Sequence, residues 1–311
     1  MWSVAGRILG SLAVLGLVSL VLFVLVRTVP VSPARIVLGP DATEEDVAEF
    51  DRERGLDRPL LAQYGEWVRG ALTGDLGRSY VDDSAISSEI ARSLPITLEL
   101  VTLAFLLAVA IGVPLGALSA YHERGPLDHA SRILAVVGVS IPGFWLGLML
   151  IAFGAVTLRW FPPGGYVPIR EGLSLHLRAL VLPALALGLY YVSIISRMTR
   201  SSVSDVLSQD HVRVARAMGL SRSRILLYVL KNAMAPVLTV AAMSYGYMFG
   251  WALVIEHVFN LAGMSRALLN AIFRRDYLVV QAIVLIITAI FLAANLVADL
   301  LYRWLDPRLR A

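Results

Sequence analysis

The sequence predicts an all-α membrane protein with six transmembrane helices. Of its 311 residues, 58% are hydrophobic and only 16% are charged, whereas a soluble domain carries about 25% charged residues. The mean hydropathy is +0.72. The apolar residues fall into separate long stretches, which favours one helical bundle in lipid over two soluble domains.

Six apolar stretches are long enough to cross a bilayer, which takes about 20 residues of helix. Helices are expected because they satisfy their own backbone hydrogen bonds in lipid. The first stretch is either a cleaved signal peptide or an uncleaved span. We favour the span, because its apolar run exceeds the usual signal length and no small-x-small cleavage site follows Arg27. The stretches are residues 8–26, 100–120, 133–158, 179–196, 232–255 and 277–298.

Proline and glycine interrupt several of these stretches. Pro142 and Gly143 lie within the third stretch, Pro183 within the fourth and Pro236 within the fifth. Bundled membrane helices tolerate such residues, which often mark kinks. These residues could allow the helices to move or could simply let them pack closely. For each residue taken alone, we expect a packing role.

The distribution of basic residues predicts that both chain ends are cytoplasmic. An even number of spans places both ends on one side, which carries 13 basic residues against six in the short loops opposite. The positive side faces the cytoplasm by the positive-inside rule. We therefore expect a multi-pass membrane protein, and its pI of about 9.5 needs no nucleic-acid partner.

The segment between the first two spans predicts a small folded subdomain outside the cytoplasm. Thr43 precedes three acidic residues, as at a helix start. Leu60, Trp67 and Leu72 then recur at helical spacing before a turn at Gly74. This subdomain either caps its own bundle or docks an extracytoplasmic partner. The expected division is a first helix at 1–28, the subdomain at 29–93, a core of five helices at 94–304 and a cytoplasmic tail at 305–311.

The composition excludes several chemistries. The chain has no cysteine, which removes disulfides and thiolate metal sites. Its only lysine, Lys231, is followed by Asn232, so no phosphate-binding P-loop is present. No His-Glu-x-x-His or Gly-x-Ser-x-Gly motif occurs, so we expect no catalytic residues, no metal site and no cofactor on this chain. A channel or secondary transporter is the alternative class. It would predict a buried charge relay in the middle of the spans, but the spans carry almost no charge at their centres.

The loop at residues 197–231 is the most informative part of the chain. It holds seven basic residues. Asp210 is expected to cap a short helix that Gly219 ends, and Ser221 to cap a second helix that leads into span five. Such a helix suits insertion into a groove on another protein. The alternative is a basic loop lying on anionic lipid.

This loop resembles the EAA loop of ABC importer permeases. Residues 213–219 follow its Glu-Ala-Ala-x-x-x-Gly core, with Ala215 and Gly219 retained and Arg213 in place of the glutamate. The family's following Leu and Pro are replaced by Lys231 and Asn232, a departure that resembles the oligopeptide, dipeptide and nickel branch. Further motifs of that branch are Gly55-Leu56-Asp57-Arg58-Pro59, Gly74-Asp75-Leu76-Gly77, Ser140-Ile141-Pro142 with Phe144-Trp145-Leu146-Gly147, Arg275-Asp276-Tyr277 and Asp306-Pro307-Arg308.

The resemblance implies a type I ABC importer permease fold. It also implies a peptide permease subunit that forms half of a translocation pathway. Its implied partners are a second homologous permease, two cytoplasmic ATPases that hold ATP and Mg²⁺, and an extracytoplasmic binding protein. Nickel chelates or another small solute are alternative substrates. The implied coupling helix, which would contact the ATPase, comprises Asp210, His211, Val212, Arg213, Val214, Ala215, Arg216, Ala217, Met218 and Gly219.

Polar residues near the spans are further candidates. For Glu256 and His257 at the outer end of span five we consider a gate or a rim contact, and a metal site is disfavoured because neighbours in sequence point apart. Glu99 begins span two. Asn295 and Asp299 share one face of span six, where Asp299 is expected to act structurally with Arg303. The tyrosines considered as a lining for peptide backbones, or as ordinary packed residues, are Tyr190, Tyr191, Tyr245 and Tyr247.

Overall fold

The computed structural model describes residues 4–28 and 32–305, which are almost entirely helical. A π-helix follows α7 at Ile151–Thr157, and a short 3-10 helix lies at Ile169–Glu171. The α-helices are α1 (Val4–Thr28), α2 (Pro33–Leu38), α3 (Glu44–Glu53), α4 (Leu60–Thr73), α5 (Ile86–Tyr121), α6 (Pro126–Ser140), α7 (Gly143–Leu150), α8 (Leu173–Leu207), α9 (Asp210–Ala217), α10 (Arg222–Val258), α11 (Met264–Phe273) and α12 (Tyr277–Leu305).

The apolar helices agree with the predicted spans. Among the described residues, five helices are long and apolar enough to cross a membrane, and the number rises to six when one bent pair is taken as one span. Several helices run beyond their apolar stretch at one or both ends. For example, α5 begins at Ile86 and α8 extends over 35 residues.

The third predicted span is not one continuous helix. It consists of α6 and a second helical segment, Gly143–Thr157, which combines α7 with the π-helix; the two are bent by 102°. Ile141 has an extended backbone with ψ of 122°, which is the conformation favoured before a proline. Pro142 has no N–H to continue the ladder, so it serves as the N-cap of α7. The expected kink is therefore a break.

The chain divides into two compact units that share α5 and α12. The first unit comprises residues 1–96 and 263–290. In it, Thr43 caps α3 by accepting a hydrogen bond from the Asp46 N–H, and the Asp46 carboxylate accepts one from the Thr43 N–H. This capping box confirms the predicted helix start.

The amphipathic helix predicted between the first two spans is α4, and it ends at Gly74 in the left-handed conformation. Its Tyr64 hydroxyl pairs with the hydroxyl of Ser19 in α1 at 2.8 Å. Its Gln63 accepts a hydrogen bond from Nε of Arg27 at 2.9 Å. These bonds attach the segment between the first two spans to the first helix.

The second unit comprises residues 97–262 and 291–311. In it, α8 packs against both α6 and α10. Small residues let the backbones approach: a Cβ at Gly188 would lie 2.9 Å from the carbonyl oxygen of Ala104 in α5. Close packing at small residues is the usual way in which membrane helices associate.

Candidate functional site

The short helix α9 follows α8 in the chain and precedes α10. It begins after Gln209, whose backbone is extended at the N-cap position. Asp210 is therefore the first residue of the helix, and the prediction that it caps the helix is wrong by one position. Its carboxylate instead lies 3.3 Å from the Arg213 guanidinium, one turn on. An acidic residue in the first turn still interacts favourably with the helix dipole.

Gly219 ends this helix as predicted. Its φ is +79°, and two backbone hydrogen bonds close the turn: Gly219 N–H donates to the Arg216 carbonyl at 3.0 Å, and Leu220 N–H donates to the Ala215 carbonyl at 3.2 Å. This pair of bonds defines a Schellman motif, in which the left-handed residue is usually glycine. The turn directs the chain into α10, which has Ser221 at its N-cap position.

Val212 is the buried residue of α9. Its side chain is fully buried, while most of the helix is exposed. It belongs to a buried apolar cluster whose other members come from three long helices. They are Ala117 and Ala120 of α5, Val203 and Val206 of α8, and Ile225, Val229 and Ala233 of α10.

The opposite side of α9 is an exposed apolar face. Val214 is 56% exposed and Met218 is 75% exposed, and residues four apart lie on the same side of a helix. Leu220 and Leu227, which follow in the chain, are exposed as well. We call Val214 and Met218 the outer face of α9.

A buried carboxylate fastens the helices next to α9. Asp128 in the first turn of α6 has a fully buried side chain. It accepts hydrogen bonds from the Ser119 hydroxyl at 2.7 Å, from Nε of Arg200 at 2.7 Å, from Arg132 at 2.9 Å and from the Arg124 N–H at 3.0 Å. The carboxylate thus ties α5, α6 and α8 together. The sequence analysis missed this residue, and the only local signal was Arg132 one turn later.

The predicted tyrosines do not form one group. The Tyr245 hydroxyl lies 3.2 Å from that of Thr102, beside a cavity of about 380 Å³. Tyr247 lies two residues further along α10, on another face, and contacts Phe291. It shares a second cavity, of about 350 Å³, with Tyr190 and Tyr191.

Glu256 and His257 also point in different directions. Glu256 is fully buried and accepts a hydrogen bond from the Thr97 hydroxyl at 2.6 Å, whereas His257 is exposed. Asn295 donates to the Phe291 carbonyl of its own helix. The predicted partners Asp299 and Arg303 have side chains that lie outside the described residues.

Glu99 secures the loop that precedes α8. Its carboxylate accepts a hydrogen bond from the Tyr166 hydroxyl at 2.7 Å, and Nε2 of His176 lies 3.8 Å from the same oxygen. Burial, together with the hydrogen bond and the charge of Glu99, raises the pKa of Tyr166 to about 12. A tyrosine is already neutral at physiological pH with its ordinary pKa of about 10, and this shift only extends the pH range over which it can donate.

Two family models match the chain. Residues 112–311 match the inner membrane component of binding-protein-dependent transport systems. Residues 2–101 match the N-terminal part of such membrane components.

Similar proteins cover the whole length of the chain. A Brucella abortus protein named as a peptide transport system permease is 37% identical over 98% of this chain and 97% of that relative. The glutathione transport system permease protein GsiC of Salmonella choleraesuis is also 37% identical, over 98% of this chain and 97% of its own length. The inward-facing MetNI methionine ABC transporter has the same fold, with a TM-score of 0.57 and 17% identity over 70% of this chain and 96% of that one.

Proposed function

Because the chain belongs to the family of binding-protein-dependent transport system inner membrane components, we propose that it is one half of a peptide permease driven by separate ATPase subunits. The family membership makes it a membrane-spanning permease component. The peptide substrate, the coupling to ATPases and the composition of the assembly are the parts that we propose.

The proposed assembly has five kinds of member, including this chain. A second homologous permease completes the pathway, and two cytoplasmic ATPase subunits hold ATP and Mg²⁺. An extracytoplasmic binding protein delivers the solute, and the lipid bilayer surrounds the permeases. Both ends of this chain lie in the cytoplasm of a bacterial cell, on the side with more basic residues.

One observation carries the coupling proposal: α9 is attached to the bundle on one side and offers an apolar face to solvent on the other. Val212 is buried in a cluster with residues of three long helices, and the Gly219 turn fixes the direction in which the chain leaves α9. Val214 and Met218 face away from the bundle, so a groove on an ATPase can receive them in the way that an amphipathic helix enters a groove. Movement of that groove then reaches the bundle through Val212.

The bundle must have two arrangements whose balance the ATPases shift. The Asp128 network supports this role because it joins three helices at one carboxylate. Helices tied in this way move together instead of one at a time. A displacement at α9 would therefore move these three helices together.

The proposed substrate is a peptide. The support is that relatives of nearly full-length coverage are named for peptide transport. Glutathione, itself a small peptide, is the second candidate because another relative at the same identity is named for it. The exposed aromatic residues Tyr247 and Trp251 in α10 offer surfaces on which such solutes pack.

Reconstitution tests the proposal. The complete importer is placed in liposomes with its binding protein, and uptake of a labelled dipeptide is followed with ATP or with ADP supplied on the ATPase side. We expect uptake only with ATP and only with the binding protein. Uptake that continues without the ATPases would instead identify a channel or a secondary transporter.

A further inference from the structure

The surface around α9 is strongly basic. Within residues 197–231, exposed basic side chains outnumber exposed acidic ones by five to two in the part that the structure describes. The acidic residues are Asp205 and Asp210, and the basic residues are Arg197, Arg213, Arg216, Arg224 and Lys231. Arg213 stands at the position of the glutamate in the Glu-Ala-Ala core, so the charge at this point of the loop is reversed. A protein that binds here therefore meets a positive surface.

The Arg213 guanidinium is held only by a local surface contact. It lies 3.3 Å from the Asp210 carboxylate, and the two side chains are 71% and 92% exposed. Exposed ion pairs of this kind contribute little, because water screens them and both side chains stay mobile. Arg216 and Arg224 form no ion pair with any residue that the structure describes. The Arg213 guanidinium is therefore available to a carboxylate on a partner.

Arg213 also lies next to the outer face of α9. Successive residues of an α-helix are about 100° apart around its axis, so Arg213 is on the flank of the helix beside Val214. A groove that buries Val214 and Met218 would bring the Arg213 guanidinium to its rim. Charged groups belong at the rim of an interface, where they remain partly solvated.

The lengths of α8 and α10 place α9 beyond the headgroups of the bilayer. Residues 197–207 continue α8 past its apolar stretch by about 16 Å, and residues 222–231 add about 15 Å before the apolar part of α10. The headgroup layer on each side of the hydrocarbon is only about 5–8 Å thick. These distances favour a protein over anionic lipid as the partner of Arg213.

We propose that the ATPase groove that receives α9 carries a carboxylate on its rim, which pairs with the Arg213 guanidinium. The proposal rests on the proposed coupling to ATPases and adds the chemistry by which the two proteins recognise each other. Arginine and a carboxylate can form two parallel hydrogen bonds, which fixes their orientation as well as their attraction. The surplus of positive charge around α9 attracts an acidic groove and repels a basic one.

Binding of the ATPase to variant permeases tests the charge of the groove. The permease pair in phosphatidylcholine nanodiscs is titrated with purified ATPase at low and at high KCl concentration, and the series is repeated in nanodiscs with phosphatidylglycerol. Arg213→Gln should weaken binding about tenfold at low salt and much less at high salt, in both lipids. Asp210→Asn should strengthen binding about threefold, because it removes a like charge that faces the acidic groove. Arg69→Gln, which removes an exposed arginine from α4, should bind as the unaltered permease does.

A zero-length cross-link locates the carboxylate directly. The only lysine of the chain is Lys231, so Lys231→Arg combined with Arg213→Lys leaves a single lysine, at position 213. A carbodiimide joins an amine to a carboxylate without a spacer, so it reports only groups that are already in contact. We expect a bond between position 213 and an aspartate or glutamate of the ATPase in the assembled importer. Lys231→Arg combined with Arg69→Lys should give no bond to the ATPase.

The outcomes separate the two proposals. Unweakened binding of Arg213→Gln at low salt, weaker binding of Asp210→Asn, or no cross-link from position 213 would overturn the acidic groove and leave the ATPase-driven permease intact. A loss in Arg213→Gln that occurs only with phosphatidylglycerol would show that the guanidinium faces lipid, and would overturn the acidic groove as well. An ATPase that does not bind the unaltered permease, together with peptide uptake that continues without ATPases, would overturn both proposals.

Discussion

Replacing Gly219 by valine should uncouple ATP hydrolysis from the permease without disturbing the bundle. The residue has φ of +79°, and a Cβ built on it would meet nothing within 4 Å. The cost of a side chain is therefore conformational and not steric. An L-residue in the left-handed region costs about 1–2 kcal/mol, and a β-branched residue lies at the upper end of that range.

That cost is large enough to redirect the chain. About 2 kcal/mol lowers the population of the native turn roughly 30-fold relative to competing conformations. The two Schellman bonds at Gly219 and Leu220 are then lost, and α9 no longer holds its angle to α10. Asparagine tolerates the left-handed region better than other non-glycine residues do, so Gly219→Asn is the matched control.

The assay is the stimulation of ATPase activity by loaded binding protein in reconstituted importer. We expect stimulation to fall at least about fivefold in Gly219→Val, by the population argument, and to stay near the unaltered level in Gly219→Asn. The melting temperature should change little, because the residue is exposed and outside the bundle. Full stimulation in a correctly assembled Gly219→Val importer would refute the role assigned to this turn.

Two other pairs of variants test the burial of α9 and the Asp128 network. Val212→Ala should lower the free energy of unfolding by about 2 kcal/mol, through lost burial and a residual cavity, and increase hydrogen exchange in α9. Val214→Ala should leave hydrogen exchange unchanged and weaken ATPase binding to the permease. Equal effects of the two on exchange would contradict the assignment of inner and outer faces. Asp128→Asn should lower the free energy of unfolding by about 3–5 kcal/mol because it leaves the largely buried Arg200 guanidinium without its counter-charge, and Ser119→Ala, which removes one donor, by about 1.5–3 kcal/mol. A denaturation series in one detergent would measure both, and a smaller loss for Asp128→Asn than for Ser119→Ala would show that the ion pairs contribute little.

Local signals predicted the elements that depend on local chemistry. Hydropathy located the spans, and the positions of Thr43, Gly74 and Gly219 predicted the ends of three short helices. These features follow from a few neighbouring residues, such as a capping hydroxyl or a glycine with positive φ. The predicted cap at Asp210 failed by one residue because Gln209 adopts the extended N-cap backbone instead.

Features that depend on distant residues were not predictable in this way. Asp128 receives its strongest bonds from Arg200, 72 positions away, and from Ser119 across a turn. Nothing in the spacing of these residues indicates that they meet. The sequence suggested a kink at Pro142 but not its size, because the angle depends on what α7 packs against after the break.

The central claim is that a groove on an ATPase binds α9, and cysteine labelling with cross-linking tests this claim most directly. The chain has no cysteine, so Met218→Cys provides a single thiol at a position that is 75% exposed. The account predicts that this thiol reacts with a maleimide in the isolated permease and is protected in the complete importer. It also predicts that a bifunctional reagent, reactive toward thiols at one end and amines at the other, links this thiol to an ATPase subunit. A thiol that stays fully reactive and forms no cross-link in an importer still capable of ATP-driven uptake would contradict the account.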